Sequence, residues 1–210
     1  MLINIRSLIL IALVAILTGC GGSANVMKEV PEQKIAKPDK DTAQIVFMRD
    51  SFMLNAVTAK LFEVTDGNIN FIGALPNGNK IVYRTTPGKK VFMAYGETMH
   101  IGYGRAANFM KADIVGGKTY YAIVLPIFGW GASGFEPIPV RNYNMNSKEF
   151  ANLLNGCKLI MADEAQAQAW HKDNKEHIRK VYSAYWKRFQ TKNEVQQAES
   201  TLMPEDGVEN

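Results

Sequence analysis

The sequence predicts a mainly β fold: an antiparallel immunoglobulin-like β-sandwich of about seven to eight strands, followed by a long C-terminal amphipathic helix. Three observations predict it. From Ala43 onward, short runs rich in Val, Ile, Phe and Tyr recur at the spacing of a strand plus a turn. Clusters of Gly, Pro, Asn and Asp separate those runs. After Asp163 the apolar period changes from that of a strand to that of a helix.

Strands are expected at Ala43–Arg49, Val57–Val64, Ile69–Leu75, Lys80–Thr86, Lys90–Glu97, Ala107–Ile114, Lys118–Leu125 and Phe135–Arg141. Asp66-Gly67-Asn68, Pro76-Asn77-Gly78-Asn79, Pro87-Gly88 and Gly116-Gly117 supply the positive or fixed φ values that tight turns need. Alternation places Ile69, Phe71 and Leu75 on one face of their strand. Thr119, Tyr121, Ile123 and Leu125 oppose Tyr120, Ala122 and Val124, so this strand is apolar on both faces and is expected to be central and covered.

Ser147 to Gly156 reads as a short helix with Ser147 as N-cap. A longer helix is expected from Asp163, a capping residue with Gln166 three positions on. Ile178, Val181, Tyr182, Tyr185 and Phe189 recur on one stripe, with Trp170 and Trp186 on or beside it. The opposite face carries Lys172, Lys175, Arg179, Lys180, Lys187 and Arg188. This helix holds most of the excess behind the net charge of +4, so the basic balance is no nucleic-acid footprint and no nucleic-acid partner is expected. Its stripe either packs on the domain's own sheet or serves a protein partner, with Trp130, Trp170, Tyr182, Tyr185 and Phe189 as candidate interface residues. A basic amphipathic helix can also lie on a membrane surface.

The amino-terminal stretch has a different character. One Arg precedes Leu8 to Leu17, an apolar run too short for a membrane-spanning helix, which needs roughly 20 residues. It suits the apolar region of a signal peptide. Leu17-Thr18-Gly19-Cys20 follows and resembles the lipobox of bacterial lipoproteins. The resemblance implies cleavage before Cys20 and lipid on its thiol. Each buried methylene adds about 0.8 kcal/mol, so two or three acyl chains hold firmly. Gly21 at the next position, where Asp would retain such a protein at the inner membrane, points to the outer membrane, facing the periplasm. The second cysteine, Cys157, has no intramolecular partner left and is expected to be a small buried residue.

The expected organisation is therefore a signal peptide over 1–19, a flexible tether over 20–42, a β domain over 43–145, a helical segment over 146–200 and a disordered tail over 201–210. As a flexible chain the tether reaches on the order of 25 Å.

Within the β domain, Pro87-Gly88-Lys89-Lys90-Val91-Phe92-Met93 and Ala112-Asp113-Ile114-Val115-Gly116-Gly117-Lys118-Thr119-Tyr120-Tyr121 are similar to the bacterial lipoprotein family called domain of unknown function 2846. The likeness covers about Ala43 to Val140. It implies a compact β domain on a lipid anchor and assigns no activity.

No catalytic, metal or cofactor motif stands out. His171 and His177 are six apart, unlike the three or four of a helical metal pair, and read as solvated members of a charged surface. Gly102-Tyr103-Gly104 lacks the third glycine and following helix of a dinucleotide fingerprint. Neither Ser51 nor Ser133 sits in a nucleophile elbow. Glu97, His100 and Arg105 form the best candidate ligand loop. Trp130 stands among glycines in a second loop suited to docking. Glu63, Glu97, Asp113 and Glu136 are the acids that a carbohydrate-cleaving pair could draw on. These features favour a non-catalytic, lipid-anchored interaction or binding module over two alternatives, a periplasmic enzyme acting on envelope polymer or carbohydrate, and a small-ligand or lipid carrier. The carrier would need an apolar cavity inside the β domain.

Overall fold

A computed structural model describes residues 26–96, 104–129, 132–142 and 145–209. The chain is mainly β with a long C-terminal helix, as expected. The strands are β1 (Met27–Glu29), β2 (Ala43–Arg49), β3 (Ala59–Thr65), β4 (Asn68–Leu75), β5 (Asn79–Thr85), β6 (Gly88–Gly96), β7 (Gly104–Ile114), β8 (Thr119–Gly129), β9 (Ala132–Pro139), β10 (Lys158–Ala162) and β11 (Thr201–Leu202). The helices are α1 (Lys148–Gly156), α2 (Glu164–Gln190) and α3 (Glu194–Glu199).

The two antiparallel sheets of a sandwich are replaced by one mixed sheet in the order β1-β10-β5-β2-β8-β9-β7-β6-β3-β4, with β11 added beside β7. Four pairings are parallel: β2 with β8, β7 with β9, β10 with β5 and β11 with β7. The hydrogen-bonded path runs through the ten other strands and curls until its edges nearly meet, forming a near-closed barrel. At the seam, the Ala74 N–H of β4 lies 3.2 Å from the Met27 sulfur of β1. A Cβ on Gly73 would stand 3.0 Å from the Met27 methyl, so the small residue permits the approach.

Alternation then sorts side chains into an interior and two outer coats. The interior is filled by Ile45, Phe47, Leu61, Phe92, Tyr120 and Phe135, each at most 1% exposed, with others around them. Strand β8 has the expected double burial, with Tyr120, Ala122 and Val124 inward and Ile123, Tyr121 and Leu125 in an outer coat under α1, where Tyr121 meets Phe150 edge-on at 5.1 Å. Strand β4 departs from its expected alternation. The register shifts between Leu61 and Phe62, so Leu61 opposes Gly73 and Phe62 opposes Phe71. This bulge turns Ile72 and Leu75 into the interior, while Ile69 and Phe71 face α2.

Helix starts follow the sequence: Ser147 Oγ accepts from the Phe150 N–H at 3.1 Å and Asp163 Oδ1 from the Gln166 N–H at 3.3 Å. The Asp66-Gly67 turn takes φ values of 51° and 78°, as a two-residue hairpin needs.

Three boundaries need correction. Residues 26–42, expected as tether, dock on the barrel. Val26 is 4% exposed, β1 pairs with β10, Gln33 bonds to the backbone of Leu159 on both its amide atoms, and Gln44 reaches back to the Ala36 carbonyl at 3.0 Å. The supposed helical segment contains β10, which adds to the β5 edge. The tail expected to be disordered supplies β11, whose Leu202 is fully buried, and Val208 bonds to Thr119 in both directions at 2.9 Å. Residues 26–42 and the tail are mostly polar in sequence, and with the short, apolar β10 they are held by the edges they complete. The signal peptide and Cys20 lie outside the described residues.

Candidate interaction surface

The long helix lies across β4, β3, β6 and β7, and its apolar stripe is covered by that outer coat. Trp170 packs on Phe71 at 4.7 Å, and Phe109 meets Tyr182, Trp186 and Phe189 edge-on at 5.7, 5.1 and 5.5 Å. Ile178 is 1% exposed. Of the candidate interface residues, Trp170, Tyr182, Tyr185 and Phe189 therefore face their own barrel, and the stripe is core. Lys172, Lys175, Arg179, Lys180, Lys187 and Arg188 face solvent, as the sequence indicates.

The two helix histidines also differ from expectation. His171 stacks on Phe71 at 6.4 Å, and burial holds its pKa below the usual imidazole range. His177 Nε2 is 3.0 Å from the Tyr95 hydroxyl. Both belong to the helix–barrel contact because they fall within the wide inward-facing arc of α2.

Where the last turns of α2 leave the barrel, a cleft of about 350 Å³ opens against β7 and β8. Ala106, Ala107 and Phe189 lie at its base, Ile127, Phe128 and Tyr185 give it apolar walls, and Asn108, Arg188, Thr191, Lys192 and Gln196 supply polar groups. Phe128 is 53% exposed. Lys192 Nζ is 3.0 Å from Glu136 Oε1 and 4.8 Å from the Phe189 ring, and Asn108 Nδ2 donates to the same Glu136 oxygen at 2.6 Å. That network fixes the base of the cleft and neutralises Lys192, leaving the exposed Arg188 as its outward cation. An aromatic wall beside a guanidinium suits a peptide that presents an apolar side chain next to a carboxylate.

Arg49 and Glu63, two of the buried charged residues, lie elsewhere, at opposite ends of the barrel interior. Arg49, fully buried, donates from Nη1 to the carbonyls of Val57 (2.5 Å) and Leu75 (3.1 Å), and from Nη2 to that of Leu54 (2.5 Å). Its guanidinium carbon stands 4.3 Å above the Phe135 ring, and its Nε has no hydrogen-bond partner among the described residues. Burial pushes its pKa down to about 10, which leaves it charged at neutral pH. At the other end, Glu63 lies 3.5 Å from Lys90 and accepts from Thr65 and Thr85, each at 2.7 Å. Burial raises the Glu63 pKa, but the two threonine hydroxyls, then Lys90, outweigh it and hold the carboxyl below its ordinary value. Asp113 and Glu136 alternate to the outside of their strands, so Glu63 does not share a cleft with either.

Of the candidate ligand loop, Glu97 and His100 lie outside the described residues, as does Trp130. Arg105 is placed only by its backbone, on β7 opposite Ser133. Cys157 is 2% exposed with its thiol 3.7 Å from the Arg49 carbonyl, and burial raises its pKa. Among the described residues no group of three His, Cys, Asp or Glu side chains could hold a metal ion, and no helix is long and apolar enough to cross a membrane. Sequence reasoning missed the cleft, because its polar rim spans the end of α2 and the unpatterned Thr191-Lys192-Asn193 link to α3. Comparison with protein-family models, curated proteins and solved structures finds no match.

Proposed function

We propose that this chain is a non-catalytic cell-envelope lipoprotein, anchored through Cys20 and facing the periplasm from the outer membrane, and that its barrel is a binding module for a peptide segment. The cleft beside Phe128 and Arg188 carries the binding part of this reading: in it an aromatic wall more than half exposed stands beside an outward cation. The likeness of residues 43–140 to domain of unknown function 2846 lipoproteins agrees with it. The carrier alternative is disfavoured by an interior filled with Phe47, Phe92, Tyr120 and Phe135. The enzyme alternative finds little support where Glu63 and Glu136 are each tied to a lysine.

Two measurements test the proposal. A photoreactive residue in place of Gln196 is expected to crosslink to an envelope component in intact cells, and the Phe128→Ser, Arg188→Glu double variant to abolish that product at unchanged abundance. A crosslink that survives the double variant moves the binding site elsewhere. For the anchor, Cys20→Ser is expected to lose labelling by radioactive palmitate and to leave the membrane fraction; retained label would overturn it.

A further inference from the structure

We infer that the outward basic face of α2 lies along the anionic headgroups of the bilayer that holds the Cys20 lipid, so that this wall of the barrel faces the membrane. The inference rests on the lipid-anchor reading above. The apolar stripe of α2 is covered by the barrel, so the opposite face is the one left to meet a partner. On that face Lys172, Lys175, Arg179 and Lys187, all exposed, recur at the spacing of a single helical stripe about 22 Å long. The acids beside it are Asp173 and Glu176, and Lys180 Nζ closes on Glu176 at 2.8 Å, so the stripe keeps a positive balance. Arg188 is off this stripe, beside the cleft. Among the described residues no large apolar side chain of α2 is exposed, which makes the contact electrostatic rather than inserted.

The place where the chain enters the barrel selects the occupant. The N–H of Asp163, the cap of α2, donates to the Val26 carbonyl at 2.9 Å. Val26 itself is buried against Ala167 and Trp170 of the first two turns, together with Ala74 of β4. Lys28 follows, 4.0 Å from the Asp163 carboxylate. The entry is therefore pinned to the start of α2, and Lys172 lies within one turn of Trp170. Between Cys20 and Val26 only Gly21 to Asn25 intervene, and fully extended they span no more than about 20 Å. A lipid on Cys20 holds the start of α2 within that distance of the headgroups. An anionic surface is then in reach of the stripe, and laying the helix flat adds four cations to the single covalent attachment.

The test uses the whole lipidated chain, purified from membranes and returned to vesicles of phosphatidylethanolamine with either phosphatidylglycerol or phosphatidylcholine, each carrying a headgroup nitroxide. A fluorophore is placed at Ser183→Cys, on the outward face of α2, or at Asn152→Cys, on α1 over the wall of β2 and β8; the remaining thiol, Cys157, is buried. With phosphatidylglycerol, emission from position 183 is expected to fall roughly twofold and that from position 152 to stay unchanged. Raising salt from about 0.1 M to about 1 M shortens the screening length from roughly 10 Å to roughly 3 Å and should reverse the quenching. The Lys172→Gln, Lys175→Gln, Arg179→Gln, Lys187→Gln variant should lose it at an unchanged urea midpoint. Equal quenching at the two positions would overturn the inference, as would quenching at 183 that persists with phosphatidylcholine or in the glutamine variant. So would a position 183 that is silent on vesicles and responds to a soluble anionic polysaccharide, which would assign the face to a polymer. The mass of the amino-terminal peptide separates the two levels of failure. A lipidated peptide with no response at position 183 sinks only this inference, whereas an unlipidated one removes the anchor reading and this inference together.

Discussion

Arg49 and Glu63 occupy opposite ends of one barrel interior and meet the cost of burying a charge in different ways. Glu63 is neutralised by a lysine and two hydroxyls, a local solution drawn from β3, β5 and β6. Among the described residues, Arg49 has no carboxylate partner. Its donors end on carbonyls of the β2–β3 loop and the end of β4, and its face rests on Phe135 from β9. The contrast teaches that one charge is a self-contained pair, replaceable as a unit, whereas the other is a clamp that ties a loop to three strands. A cation can remain charged in such a place because three carbonyl dipoles and the Phe135 face replace the water it has lost.

The largest effect expected follows from the clamp. Arg49→Met removes the guanidinium that donates to the buried carbonyls of Val57 and Leu75 and adds to the Val57 N–H on that of Leu54, and should cost about 3–5 kcal/mol in urea unfolding. Arg49→Lys should recover only part of it, since one ammonium cannot span the same fork. A loss below about 1 kcal/mol for the methionine variant would break the comparison.

Next comes the pair. Lys90→Met alone strands a buried carboxylate and should cost about 3 kcal/mol, while Glu63→Leu combined with Lys90→Met should return to within about 1 kcal/mol of the parent. Additive losses in this double-mutant cycle would mean that the pair is not self-contained.

The smallest effect concerns pH. The folded Glu63 carboxyl titrates below its unfolded value, so between the two the unfolded chain binds more protons and stability rises with pH. Its contribution is fully present above the ordinary carboxylate range and is lost as pH falls through the folded value. Unfolding of the parent between about pH 5 and pH 3 should therefore weaken more steeply than that of the Glu63→Leu, Lys90→Met variant. Parallel acid limbs would remove Glu63 from the account.

Much of the barrel wall was legible because its strands are long, periodic and bounded by turn residues. Ala43–Arg49 matches β2 to the residue, and Ser147 and Asp163 cap the helices foreseen for them. What could not be read is pairing across distance. The parallel neighbours β2 with β8 and β7 with β9 are set by the closing of the barrel, and no local pattern marks them. β1 and β11 are hidden for the same reason: an edge, not their own propensity, makes them strands, and β10 is a short apolar run enclosed between two helices. Arg49 followed by Asp50 and Ser51 looks like the exit of a strand into solvent, although its side chain turns inward. The cleft was illegible because its parts converge from residues 106–108, 127–128 and 185–196.

The strip Thr201–Leu202 lies beside β7, and Val208 bonds to Thr119 at the start of β8, so the latest-made stretch of the described fold closes contacts with its middle. Met27–Glu29, the earliest, pairs only with Lys158–Ala162. Neither half can therefore reach its final form while the chain is still emerging from the ribosome, and a folding path dominated by such distant contacts is slow. Under the proposed export of this chain through a membrane, the late closure is an advantage: the order of synthesis itself delays the compact state until residues 201–208 have been made.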